Sequence, residues 1–79
     1  MPTPFRKLVK SELDRYKRKI NGYHEAYGII LEELDEFWEQ VRKKTNARDP
    51  KNALLELTQI AALCEKAAVD LNLIDNGEE

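Results

Sequence analysis

Cysteine is nearly absent: Cys64 is the single one in 79 residues, so no disulfide can form within the chain. A lone thiol suits a reducing compartment. Histidine is equally scarce, and the residue three before His24 is Asn21. The chain therefore lacks the Glu-x-x-His motif of a di-iron helical bundle. No stretch approaches the roughly 18 apolar residues that a membrane-spanning helix needs. The opening MPTPFRKLVKSELDRYKRK has no apolar h-region, which argues against a secretory signal. A cytoplasmic protein with no membrane partner is the expectation. There is no internal repeat and no low-complexity stretch. A chain this short buries a limited core by itself. Without disulfides, oligomerisation is the first source of extra stability to consider and metal the second.

What is present is charge, and it is segregated. The net charge is only −2, yet Met1–Asn21 carries seven Lys and Arg against Glu12 and Asp14. Gly22–Gln40 carries six acids and no Lys or Arg, and Arg42–Lys51 turns basic again. Acid flanked by base on both sides suits a site that holds a cation together with an anionic ligand. It equally suits helices that pair by complementary charge.

Hydrophobic periodicity predicts three helices, over about 4–20, 23–44 and 50–71, followed by a polar tail, 72–79. Thr3-Pro4 is a start signal, an N-cap followed by proline at the first helical position. Phe5, Leu8, Val9, Leu13, Tyr16 and Ile20 then recur at helical spacing, and Asn21-Gly22 reads as the stop. In the second helix Tyr23, Tyr27, Ile30, Leu34, Phe37 and Val41 alternate by four and three, a heptad-like seam. Glu25, Ile29, Glu33, Glu36 and Gln40 form a stripe beside it. Asp49-Pro50 repeats the start signal. The third helix has a first seam of Leu54, Leu57, Ala61, Cys64, Ala68 and Leu71, and a second line of Leu55, Ala62 and Val69. Cys64 on that seam reads as a small core residue and not a nucleophile. A helix apolar on more than one side has to be covered on more than one side. Ala61, Ala62, Ala67 and Ala68 would let neighbours approach closely. The fold expectation is an all-α, three-helix subunit that completes a bundle with neighbouring subunits.

The most informative stretch is Leu31–Val41, LEELDEFWEQV. Glu33 and Glu36 fall about 60° apart on one side of a helix. Like charges at that spacing repel by a few tenths of a kcal/mol. They either stand in water or hold a cation. Twenty residues after Glu36, Glu56-Leu57-Thr58-Gln59 offers a second group on the next helix. Carboxylates on two facing helices make an oxygen cluster suited to Mg²⁺, a hard ion that bridges carboxylates to phosphates.

The pairing of Glu32-Glu33-Leu34-Asp35-Glu36 with Glu56-Leu57-Thr58-Gln59 resembles the all-α nucleoside triphosphate pyrophosphohydrolases. This is the MazG-like and dimeric dUTPase-like superfamily, whose signature is E-E-x-x-E followed by E-x-x-D. The likeness runs from about Tyr23 to Leu71. It implies that Glu33, Glu36 and Glu56 ligate Mg²⁺ (Mn²⁺ being the alternative ion), with Glu32 binding metal or orienting the attacking water. It implies cleavage of a nucleoside triphosphate between its α and β phosphates, releasing a monophosphate and pyrophosphate. It also implies a homodimer, or a homotetramer built from dimers. Gln59 stands where the family has Asp. An amide oxygen can ligate Mg²⁺ but brings no charge, so a weaker or single-metal site is expected there.

Lys43, Lys44, Arg48 and Lys51 are the basic candidates for the phosphates of the substrate, and Trp38 is suited either to the core or to stacking on a base. Two other readings stand beside the enzyme. One is a helical binding or assembly protein that has lost catalysis. The other is a nucleic-acid binder using the basic first helix, which the lack of a recognisable reading motif makes the weakest of the three.

Overall fold

A computed structural model describes residues 4–74 of the chain. Its order is α1 (Pro4–Leu13), α2 (Tyr23–Val41), a short 3₁₀ turn (Thr45–Ala47) and α3 (Pro50–Asp70). The described residues contain no strand, so the all-α class read from the periodicity is the class adopted. Helix α3 is the middle of the subunit. Both α1 and α2 pack against it, and they do not pack against each other.

Helix α1 ends at Leu13, seven residues before the expected end at Ile20. Its last bonds tighten, with Arg15 N–H donating to Glu12 O at 3.0 Å and Tyr16 N–H to Leu13 O at 3.1 Å. Two forces oppose a longer helix. Arg15, Arg18 and Lys19 would stand at three- and four-residue spacing, with like charges facing one another. Leaving the helix also lets Ile20 reach the core, where it is 2% exposed, and lets its N–H donate to Asp70 Oδ2 at 2.8 Å. The tertiary contact overrides the local period. Thr3, expected as the cap of α1, lies outside the described residues.

Asn21-Gly22 is accordingly not a stop for α1 but the entry to α2, with Gly22 extended at the N-cap. Glu25 in the first turn reaches back to accept from the N–H of Asn21, the residue before the cap, at 2.9 Å, and its charge suits the positive end of the helix. Helix α2 stops at Val41 and not at Lys44 because the following loop folds back over its end. Arg48 Nε donates to Gln40 O at 3.2 Å and Arg48 Nη2 to Val41 O at 2.7 Å, satisfying carbonyls that have no partner inside the helix. At the start of α3, Asp49 caps as its sequence suggests, accepting from Lys51 N–H at 3.0 Å with Pro50 at the first helical position. The other end is a Schellman closure built on Asn72 at φ 62°. There Leu73 N–H donates to Ala68 O at 2.9 Å and Asn72 N–H to Val69 O at 3.0 Å.

The core is small and made of small residues. Ile20, Ala26 and Ala67 are buried together, with Ile29, Ile30 and Leu71 packed around them. Ala62 is fully buried. The alanines of α3 therefore do allow close approach, and they draw the stripe containing Ile29, Glu33 and Gln40 inward. The heptad seam does not become the contact between α2 and α3: Tyr23, Tyr27, Leu34 and Val41 are exposed, and only Ile30 and Phe37 are half-buried. On α3, Leu54 and Leu57 of the first seam are also exposed. Cys64 is exposed too, contrary to its expected place in the core. Bringing helices together at alanines leaves the bulky side chains on the far sides.

Candidate metal centre

The inward turn of that second stripe of α2 carries Glu33 toward α3. Glu56, on the buried face of α3, meets it there. One carboxylate oxygen from each of Glu33, Glu36 and Glu56 lies within 4.8 Å of the other two. These three of the expected ligands are brought together. The other two differ in position. Glu32 is exposed and outside the group, about 100° around α2 from Glu33. Gln59 is half-buried one turn along α3 from Glu56.

Three ionised carboxylates at this range, up to 4.8 Å, repel by about 3 kcal/mol per pair at an effective dielectric constant near 20. The ion pairs Arg15–Glu12, Arg42–Glu39 and Lys66–Asp70 are each local, and none reaches the cluster. Glu33 responds by holding its proton: burial first, then the charges of Glu36 and Glu56, push its pKa up to about 7. Glu56 is raised as well, by burial and then by Glu36. Two oxygens, Glu33 Oε2 and Glu56 Oε1, are buried and meet no donor from outside the cluster, so the only proton they can share is the acids' own. A buried carboxylate oxygen left without a donor is costly. An all-oxygen, anionic donor set with unmet acceptors fits a hard divalent cation.

Tyr16, expected on the apolar row of α1, stands instead in the linker after it. Its pKa is raised by burial and then by Glu12 and Glu33, which keeps its hydroxyl protonated beside the acids. The same linker forms one wall of an open cleft of about 440 Å³ with Glu33 on its other side. Arg15, Lys17, Arg18 and Lys19 line it from the linker and Lys66 from α3. Ile20, Ile29 and Leu63 give it an apolar floor. The basic run Arg15–Lys19 is plain in the sequence, but its spacing predicts a continuous helix and not the wall of a cleft.

The basic residues expected near the phosphates lie elsewhere. Lys43 and Lys44 are exposed past the end of α2, and Lys51 is exposed in the first turn of α3. Arg48 is engaged in closing α2 and borders a second hollow of about 300 Å³ with Phe37, Val41 and Pro50. Trp38 is 56% exposed on the outer side of α2. None of the five lines the cleft beside Glu33. No protein-family model matches the sequence, and no curated protein or solved structure is significantly similar to it.

Proposed function

We propose that this chain is a Mg²⁺-dependent nucleoside triphosphate pyrophosphohydrolase of the MazG-like kind, with Glu33, Glu36 and Glu56 holding the cation. The observation that carries the reading is the pair of buried oxygens of Glu33 and Glu56 that meet no donor from outside their cluster of three carboxylates. A divalent ion bound there would offset triphosphate charge and lower the pKa of a water.

The residues of the chain supply the rest. Glu33, Glu36 and Glu56 would hold the ion, with Glu33 releasing its proton on binding. Glu32 stands at the solvent side of the same turn, where the resemblance gives it the part of orienting the water. The water oxygen bonds to the α-phosphorus, its proton passing to solvent, and the bond from that phosphorus to the bridging oxygen breaks. Pyrophosphate leaves with the electron pair. A cytoplasmic setting, where triphosphates and Mg²⁺ are both available, belongs to the same reading. No helix among the described residues is long and apolar enough to cross a membrane.

Self-association is part of the proposal. Tyr23, Tyr27, Leu34 and Trp38 on α2, with Leu54 and Leu57 on α3, are exposed in the single subunit. Large side chains in such number mark a contact surface. The same observation favours the second reading, a helical assembly protein without catalysis. Pyrophosphate release separates the two. Purified protein incubated with each nucleoside triphosphate and Mg²⁺ or Mn²⁺ should release pyrophosphate, and Glu36→Ala should abolish it. Absence of release, or release indifferent to Glu36→Ala, would leave the assembly reading standing.

A further inference from the structure

We propose that the cleft walled by residues 15–20 is an oligophosphate-binding site, in which Lys17, Arg18 and Lys19 hold a chain of two or three phosphates beside the carboxylate cluster. The inference rests on the reading above for the identity of the ligand, and on the cleft alone for its presence.

Three features of the linker carry it. Charge is the first: of the cations lining the cleft, Arg15 is paired with Glu12 at 3.4 Å and Lys66 with Asp70 at 2.9 Å. Lys17, Arg18 and Lys19 make no ion pair among the described residues. Lys19 feels the Asp70 carboxylate, which also serves Lys66, so Lys17 and Arg18 are the least compensated; cations in succession repel one another, and an anion between them relieves that repulsion. The second is the backbone. Because α1 ends early, the N–H groups of Lys17, Arg18 and Lys19 donate no hydrogen bond within the described chain. These donors are not spent inside the protein, so they remain available to an acceptor from outside. The third is fixation. Ile20 ties the linker to α3 through Asp70 Oδ2 at 2.8 Å, so the basic wall is anchored at its end.

Size and surroundings favour an oligophosphate over a nucleic acid. The cleft, at about 440 Å³, matches a small-molecule pocket. A single-strand site would need a longer groove and a series of aromatic platforms, and among the described residues Tyr16 is the one aromatic lining this cleft. Glu25 and Glu33, which line the cleft from α2, would repel a bare anion, so phosphates sit toward the linker.

The test uses protein freed of divalent ions by chelation and titrated calorimetrically with inorganic tripolyphosphate, then with a nucleoside triphosphate. Saturable binding that weakens with added salt is expected. Lys17→Gln/Arg18→Gln/Lys19→Gln should weaken it about tenfold or more, and Arg18→Gln alone should weaken it to a lesser degree. Lys7→Gln/Lys10→Gln/Arg42→Gln removes the same charge away from the cleft and should leave it unchanged. Thermal melts verify that the variants fold. Equal loss in both triple variants, no saturable binding, or preferential binding of a single-stranded oligonucleotide would overturn the proposal. Tighter binding of the nucleotide than of tripolyphosphate identifies the source as nucleotide, and the reverse order identifies free polyphosphate. The metal-free titration reads the linker alone, and a separate Mg²⁺ titration reads the cluster. Tripolyphosphate binding without Mg²⁺ binding would therefore sink the metal reading alone, and the converse would sink this one alone.

Discussion

The backbone N–H of Ile20 donates to Asp70 Oδ2 at 2.8 Å, joining the end of the basic linker to the last turn of α3 across 50 residues of sequence. The same oxygen accepts from Lys66 Nζ at 2.9 Å. Burial pushes the Asp70 carboxyl up, but the Ile20 N–H and the Lys66 ammonium outweigh it and hold the group below its ordinary value. Asp70→Ala should cost about 1–3 kcal/mol in urea unfolding, because it leaves a buried donor unpaired. Asp70→Asn, which retains an oxygen acceptor, should cost less. Since the folded-state pKa is depressed, this contribution is present at neutral pH and is lost as pH falls below about 3.8.

That bond also explains what sequence reasoning reached and what it did not. Local signals were sufficient for the starts of α2 and α3: Asp49 caps before Pro50, and the apolar period of α2 begins at Tyr23. Helical spacing puts Glu33 and Glu36 on one side of α2, while Glu56 on α3 is singled out by the resemblance of the two-part motif and not by spacing; the three do come together. Local signals failed where a distant partner decides the outcome. Tyr16 and Ile20 continue the period of α1, yet Asp70 draws the chain out of the helix. Arg48 ends α2 by bonding carbonyls seven and eight residues back. Periodicity also could not rank two stripes of α2 against each other. The stripe that meets the alanines of α3 went inside, although its rival held the larger side chains.

The raised pKa of Glu33 gives the metal-free protein a pH-dependent stability. Its unfolded value is near 4.5 and its folded value about 7. In that window the folded chain holds a proton that the unfolded chain has released. Stability therefore falls as pH rises from 4.5 to 7, by an amount on the order of 2 kcal/mol once solvent screening is allowed for. Thermal melts in chelator at pH 5 and pH 8 measure it. Glu33→Gln should flatten the dependence and raise the melting temperature at pH 8.

Exposed Tyr27 and Trp38, at 68% and 56% exposure, predict a subunit that does not remain single. Sedimentation should show a dimer or tetramer. Tyr27→Asp or Leu34→Asp should shift it toward monomer while helical content is retained. A monomer at all concentrations would contradict the self-association.

Gln59 offers a gain-of-function comparison. It lies one turn from Glu56 on α3 and adds an amide where a carboxylate would add charge. Gln59→Asp should tighten Mg²⁺ binding. Its further crowding of acids should lower the stability of the metal-free form. Calorimetry and melts on the same samples report both effects.

The central claim is that Glu33, Glu36 and Glu56 hold a divalent cation, and calorimetric titration of the protein with Mg²⁺ or Mn²⁺, with and without a non-hydrolysable triphosphate analogue, tests it most directly. Glu36 is exposed, so Glu36→Ala removes a ligand with little effect on the core. The account predicts saturable binding, tighter with the analogue present, that Glu36→Ala abolishes. Absence of binding under both conditions, or binding that survives Glu36→Ala unchanged, would contradict it.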